Sequence, residues 1–148
     1  QFDVRATALQ MAMVAAAITN QGELLQPYLV KRVTSADLAL IESGQPVSLG
    51  SALSSAHAKQ LLSMMRSTVT NGTASSGQLA GAQVGAKTGT AESGTTAPPH
   101  AWFVATGTKG GRQVVVAVVV ENGGGAQEVS GNKIAGPIAA AVLKAGLK

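Results

Sequence analysis

The run Val114-Val115-Val116-Ala117-Val118-Val119-Val120 constrains the fold more than any other stretch of the chain. It is apolar without alternation, which implies a strand covered on both faces. Such a strand also needs partners on both edges, because a flat apolar edge invites aggregation. Strands are expected at about 83–90, about 100–106 and about 113–121. The first loop between them contains Gly94, Pro98 and Pro99, and Gly107 with Gly110-Gly111 makes the second turn. The strand before the valine run can cover one of its edges. The sequence offers no strong candidate for the other, so the sheet is expected to be incomplete.

Helical signals flank these strands. Thr7-Ala8-Leu9-Gln10 has the form of a capping box, and the apolar run Leu9–Ile18 follows it. Asn20-Gln21-Gly22 supplies the stop. A helix apolar all round belongs in the middle of a protein, and this one is too short to span a bilayer. The chain has little material to cover it. Pro27–Val33 reads as a short extended segment, and the polar stretch with Gly44 and Pro46 as a surface excursion. Ser54 or Ser55 caps a second helix whose residues Ala58, Leu61, Leu62, Met65 and Val69 share a face until Asn71-Gly72. Residues 72–83, rich in Gly, Ser, Thr and Ala, read as a loop. Ile134–Leu147 reads as a third helix with Pro137 in its first turn. The expectation is an α+β sandwich, an antiparallel sheet flanked by helices, with residues 1–148 forming one domain or a large piece of one.

Composition narrows the function. Hydrophobic residues make up 45% of the chain and charged ones 12%, which is packable globular material. Aromatics are only 3%, so Ala, Val, Leu, Ile and Met must build the core. The net charge of +4 is scattered without a basic run, which argues against nucleic acid as a partner. Absence of cysteine excludes disulfides and thiolate metal sites. His57 and His100 are far apart and form no H-E-x-x-H pair, so neither a metal nor another cofactor is expected. The opening Gln1-Phe2-Asp3 lacks an initiator Met and a signal peptide, as expected of a processed or excised segment.

Chemistry concentrates in Lys87-Thr88-Gly89-Thr90. Along a strand, Lys87 and Gly89 face one side while Thr88 and Thr90 face the other. A glycine inside a strand commonly marks close approach by a ligand or another backbone. A cation, two hydroxyls and a glycine gap suit the holding of a carboxylate beside an acyl transfer. A Walker A reading fails, because Ala86 rather than glycine precedes the lysine.

Among the S-x-x-K, S-D-N and K-T-G elements of penicillin-binding proteins and class A β-lactamases, the last stands here. The whole chain resembles the C-terminal part of the transpeptidase domain of class B (monofunctional) penicillin-binding proteins. Thr7-Ala8-Leu9-Gln10-Met11-Ala12 is similar to the T-P-L-Q-M-A helix opening, with Ala8 in place of Pro. Met65-Arg66-Ser67-Thr68-Val69-Thr70-Asn71-Gly72-Thr73-Ala74 resembles M-R-x-V-V-x-x-G-T-A, and Lys87–Glu92 resembles K-T-G-T-A-E. His100–Val104 is similar to the A-W-F-V strand, Val118–Asn122 to the last strand, and Ala135-Gly136-Pro137-Ile138 to the start of the final helix. Ala105-Thr106 depart from the usual Gly and aromatic, and the 93–99 loop is short for a lid. The Ala, Gly and Val bias resembles actinobacterial members.

The resemblance implies a penicillin-binding/serine β-lactamase-like fold and a D,D-transpeptidase that cross-links peptidoglycan stem peptides through an acyl-serine. It implies that Lys87 supplies positive potential and hydrogen bonds to the second-element serine. Thr88 and Thr90 bind the carboxylate of a D-Ala-D-Ala end or a β-lactam, and the Thr90 N–H is an oxyanion donor. Gly89 leaves room for the acyl group. The partners implied are the upstream portion of the same protein and the cell-wall synthesis or division machinery, at the extracytoplasmic face of the membrane, anchored upstream. A β-lactam or wall-peptide sensor, and a serine β-lactamase or D,D-carboxypeptidase, are the competing readings. Neither S-x-x-K nor S-x-N precedes the K-T-G element here. Ser130-Gly131-Asn132-Lys133 satisfies both patterns but follows it, and Ser130 or Asn132 is expected to cap the last helix instead. Glu92 is expected to be an ion-pair partner or loop residue, His57 to be solvated and His100 structural.

Overall fold

A computed structural model describes residues 4–92, 94, 96–126 and 128–148. The opening tripeptide lies outside these residues, as do Ser93 and Thr95 of the short loop expected to leave little lid. Helix α1 spans Ala8–Thr19, and the reciprocal bonds of its capping box are both made. Thr7 Oγ1 accepts from the Gln10 N–H at 3.1 Å, and the Gln10 side chain accepts from the Thr7 N–H at 2.8 Å. Two orphan donors of the first turn are thereby satisfied. Ala8 is the first helical residue, where proline's missing N–H and its replacement by alanine are equally tolerated.

Between the first two helices the chain forms two small antiparallel ribbons. Strand β1, Glu23–Leu25, pairs with β4, Ser48–Ser51, while β2, Arg32–Thr34, pairs with β3, Leu40–Ser43. The excursion is therefore more ordered than expected, and the extended segment starts later. Pro27 cannot donate to a ladder, and pairing begins only at Arg32. Helix α2, Ser55–Asn71, is capped by Ser54, whose Oγ accepts from the His57 N–H at 3.2 Å.

The main sheet is β5 (Gln83–Ala91), β6 (His100–Lys109) and β7 (Arg112–Val120), in the order β5-β6-β7 and antiparallel throughout. Gly107 lies inside β6 opposite Val114, so only Gly110 and Gly111 turn the second hairpin. Their φ of 56° and 79° suit a two-residue turn that follows strand twist. Helix α3, Gly131–Gly146, covers one face of β6 and β7, and α1 covers the other, with α2 against β5. This is the expected α+β layering. Most valines of β7 are nevertheless only half-buried, and of them Val116 alone is buried. The reason is the strand's outer edge, which pairs with no described strand.

The core joins Phe103, Ala105 and Val116 of the sheet to Ala135, Ala139 and Leu143 of α3. Thr106 is buried on the opposite face, where Thr19 Oγ1 donates to its Oγ1 at 2.8 Å. A hydroxyl thus stands at the position of family departure because a second hydroxyl on α1 satisfies it. Helix α3 begins a turn earlier than expected, since Ser130 Oγ caps it from the Lys133 N–H at 3.4 Å. Pro137 consequently sits in the helix's second turn rather than its first, leaving the Lys133 carbonyl without its intrahelical donor.

Candidate active site

The Lys87–Thr90 segment lies on β5, whose only sheet partner among the described strands is β6. The pairing runs without a bulge from Gln83 opposite Thr108 to Ala91 opposite His100. One face of β5 looks toward α2: a Cβ on Gly85 would come within 3.1 Å of Met65 Cβ. Lys87 and Gly89 follow on that face. The other face carries Ala86, Thr88 and Thr90, with Thr88 opposite the buried Phe103.

The backbone follows the same alternation. Thr68 Oγ1 on α2 donates to the Ala86 carbonyl, so the polar groups of Ala86 point away from β6. In an antiparallel pair both backbone groups of a residue point the same way and alternate along the strand. The Thr88 carbonyl therefore also points off the free edge, where Lys87 Nζ donates to it at 2.7 Å. By the same period the Thr90 N–H projects from that edge, a preoriented donor on a rigid strand.

A cavity of about 630 Å³ opens beside this edge, lined by Lys87, Thr88 and Gly89 together with Trp102 and Val104 of β6. Its remaining walls include Met11, Val14, Ala15 and Ile18 from α1, and Leu61, Met64, Met65 and Thr68 from α2. Lys87 is exposed at the rim of this largely apolar cleft. The edge thus meets α2 at Ala86, pairs with no described strand, and borders the cleft at Lys87–Gly89.

Gly89 has a packing reason as well as room for a ligand. A Cβ there would lie 3.1 Å from Trp102 Cβ, so the glycine also makes space for the indole lining the cleft. Behind the strand, Gly131 packs against the backbone itself. A Cβ on it would fall 2.3 Å from the Trp102 carbonyl oxygen and 2.8 Å from that of Gly89. No residue but glycine fits there without moving α3 away from the sheet.

Ser130-Gly131-Asn132-Lys133 is accounted for by these structural bonds. Ser130 caps α3, and Asn132 Oδ1 accepts from the Ser76 N–H at 3.0 Å and from Ser76 Oγ at 2.7 Å. Lys133 pairs with Glu128 at 3.0 Å. The whole segment belongs to the α3 side of the sheet, across from Lys87. Glu92 is exposed just past β5, and His57 is exposed on α2. His100 Nδ1 accepts from the Asn122 N–H at 3.0 Å, which ties the start of β6 to the turn after β7. Sequence reading gave no part to Thr68, which bolts α2 to β5, or to Thr73, whose Oγ1 lies 3.3 Å from Thr88 Oγ1. Both stand in the M-R-S-T-V-T-N-G-T-A stretch, whose resemblance was the available signal.

Residues 2–144 match the penicillin binding protein transpeptidase domain. The chain is 40% identical, over its full length, to the peptidoglycan D,D-transpeptidase PbpA of Mycolicibacterium smegmatis, and spans 30% of that protein. It superposes on penicillin-binding protein A of M. tuberculosis in a ceftriaxone acyl-enzyme complex with a TM-score of 0.91. Identity there is 38%, covering all of this chain and 34% of the other. A second crystal structure of the M. tuberculosis protein gives a TM-score of 0.87, again at 38% identity, covering all of this chain and 36% of the other. The mycobacterial sources fit the actinobacterial bias of the composition. The chain spans about a third of the length of these relatives, and it belongs to the penicillin-binding protein transpeptidase domain family, in its class B branch.

Proposed function

We propose that residues 1–148 are the C-terminal segment of a peptidoglycan D,D-transpeptidase and carry the K-T-G wall of its active site. The observation that carries this reading is the free β5 edge, with Lys87, Thr88 and Gly89 lining a cleft and the Thr90 N–H projecting from the strand. The attacking serine comes from the upstream portion of the domain. Its Oγ attacks the penultimate D-Ala carbonyl of a stem peptide, and the terminal D-Ala leaves. An amine of a neighbouring strand then takes the acyl group, which frees the serine and forms the cross-link. A β-lactam acylates the same serine.

Each residue has a part in this sequence. Lys87 supplies positive potential and hydrogen bonds to the serine of the second element. Thr88 and Thr90 hydroxyls hold the carboxylate of the D-Ala-D-Ala end or of the antibiotic. The Thr90 N–H stabilises the oxyanion; loss of one such donor costs about 2.7–4 kcal/mol of transition-state stabilisation. The apolar walls of the cleft receive the upstream half, which also covers the exposed Leu9 and Val14 of α1. The site then lies at the extracytoplasmic face of the membrane, among the cell-wall synthesis or division machinery.

The test joins the chain to its upstream portion and adds a fluorescent penicillin. Covalent labelling is expected, falling at least about tenfold when Thr88→Ala and Thr90→Val are combined, since hydrogen bonds to a carboxylate contribute about 1.5–3 kcal/mol each. Absence of labelling, or labelling untouched by the double substitution, counts against the assignment.

A further inference from the structure

Thr88 does not stand alone at the strand edge. Its Oγ1 lies 3.3 Å from Thr73 Oγ1, a contact bridging the turn between α2 and β5. Thr73 is itself exposed on a backbone held from both sides. On one side, Thr68 Oγ1 donates to the Ala86 carbonyl and fixes the end of α2 to the strand. On the other, the fully buried Ala74 donates its N–H to the Thr68 carbonyl at 2.9 Å and accepts from the Gly77 N–H at 3.0 Å. A side chain on so constrained a segment has little freedom to leave its neighbour.

We propose that Thr73 is a positioning residue that orients the Thr88 hydroxyl toward the carboxylate of the incoming substrate or antibiotic. This rests on the carboxylate-binding role proposed for Thr88. Two hydroxyls carry two protons, and their mutual bond uses one. A carboxylate only accepts, so it selects the arrangement in which Thr73 donates to Thr88 and Thr88 donates outward. In that arrangement the first bond polarises the second, and the Thr73 proton occupies the Thr88 oxygen so that the Thr88 proton is directed at the anion. The 3.3 Å separation places the two oxygens within hydrogen-bond reach of one another.

The experiment uses the chain joined to its upstream portion and compares acylation by a penicillin with acylation by its methyl ester. Thr73→Val should slow acylation by the acid about three- to tenfold and leave the ester rate unchanged. Thr73→Ser, which keeps the hydroxyl, should restore the acid rate to within about twofold. Combining Thr73→Val with Thr88→Val should be no slower than Thr88→Val alone, because both act through one hydroxyl. An unchanged acid rate in Thr73→Val, or an equal fall for acid and ester, overturns the proposal. If Thr88→Val slows the acid while Thr73→Val does not, only the Thr73 role fails. If neither does, the reading of Thr88 falls with it.

Discussion

The main sheet and the ribbons between α1 and α2 are built from the same alternating backbone, yet they are held by different forces. In the β5-β6-β7 sheet the pairing runs without a register shift, and Phe103 and Ala105 have no exposed surface. In the ribbons β2, β3 and β4 are exposed along their whole length, and each pair carries a register shift. Leu29, Leu38, Leu40 and Ile41 all lie open there. A buried face specifies register, because a slip by one residue would turn every core side chain to solvent. Where neither face is buried, only turn chemistry and backbone bonds remain. The sheet can therefore hold a site in a fixed register, whereas the ribbons are less firmly specified.

The largest test of this contrast compares two truncations. Phe103→Ala should destabilise the domain by about 3–5 kcal/mol, and Leu29→Ala should stay within about 0.5 kcal/mol, read from urea unfolding. A cost above about 1 kcal/mol for Leu29→Ala would break the comparison, since it would mean that the ribbon packs against something in solution. A middle-sized effect belongs to the bracket between α3 and the turn at Ser75–Gly77. Asn132→Ala leaves the half-buried Ser76 N–H and hydroxyl without their acceptor and should cost about 1–2 kcal/mol by the same measurement.

The smallest effect lies in the ribbon turn. Ser35 Oγ donates to Asp37 Oδ1, and this bond, followed by the backbone N–H groups of Asp37 and Ala39, holds the Asp37 carboxyl below its ordinary pKa. A carboxyl lowered by folding stabilises the turn above its unfolded pKa, and that contribution is lost as pH falls through the folded value. Ser35→Ala should move the Asp37 titration, followed by carboxyl NMR shift, back up toward the ordinary range. The sheet should not respond. A change in β6 amide shifts accompanying the Asp37 titration would show that the two regions are coupled after all.

Much of the fold could be read residue by residue. The cap at Thr7 depends on atoms three residues apart, and the hairpin at Gly110-Gly111 on adjacent ones, so local pattern sufficed. Lys87, Gly89, Thr88 and Thr90 were placed on their two faces by the period of a strand alone. One error was local: Pro137 was assigned to the first turn because the apolar pattern starts at Ile134, although Ser130, a candidate cap, starts the helix earlier. The others came where distant partners decide. The ribbons were missed because exposed pairing leaves no hydrophobic period to detect. Gly131 reads as an ordinary glycine until the backbone of Trp102 and Gly89 is seen beneath it.

By itself the sequence determined what nearest neighbours along the chain can enforce: the three strands of the main sheet, the capped starts of α1 and α2, and which residues of the K-T-G tetrapeptide share a side. Those features follow from bond geometry and from donors and acceptors a few residues apart. The tertiary structure alone decided that β5 lies at an edge, that a cleft opens beside it, and that Thr68 of α2 and Thr73 just beyond that helix meet it. These contacts join residues separated by many positions, and they form only because burying Phe103, Ala86 and the α3 face compensates the entropy of bringing them together.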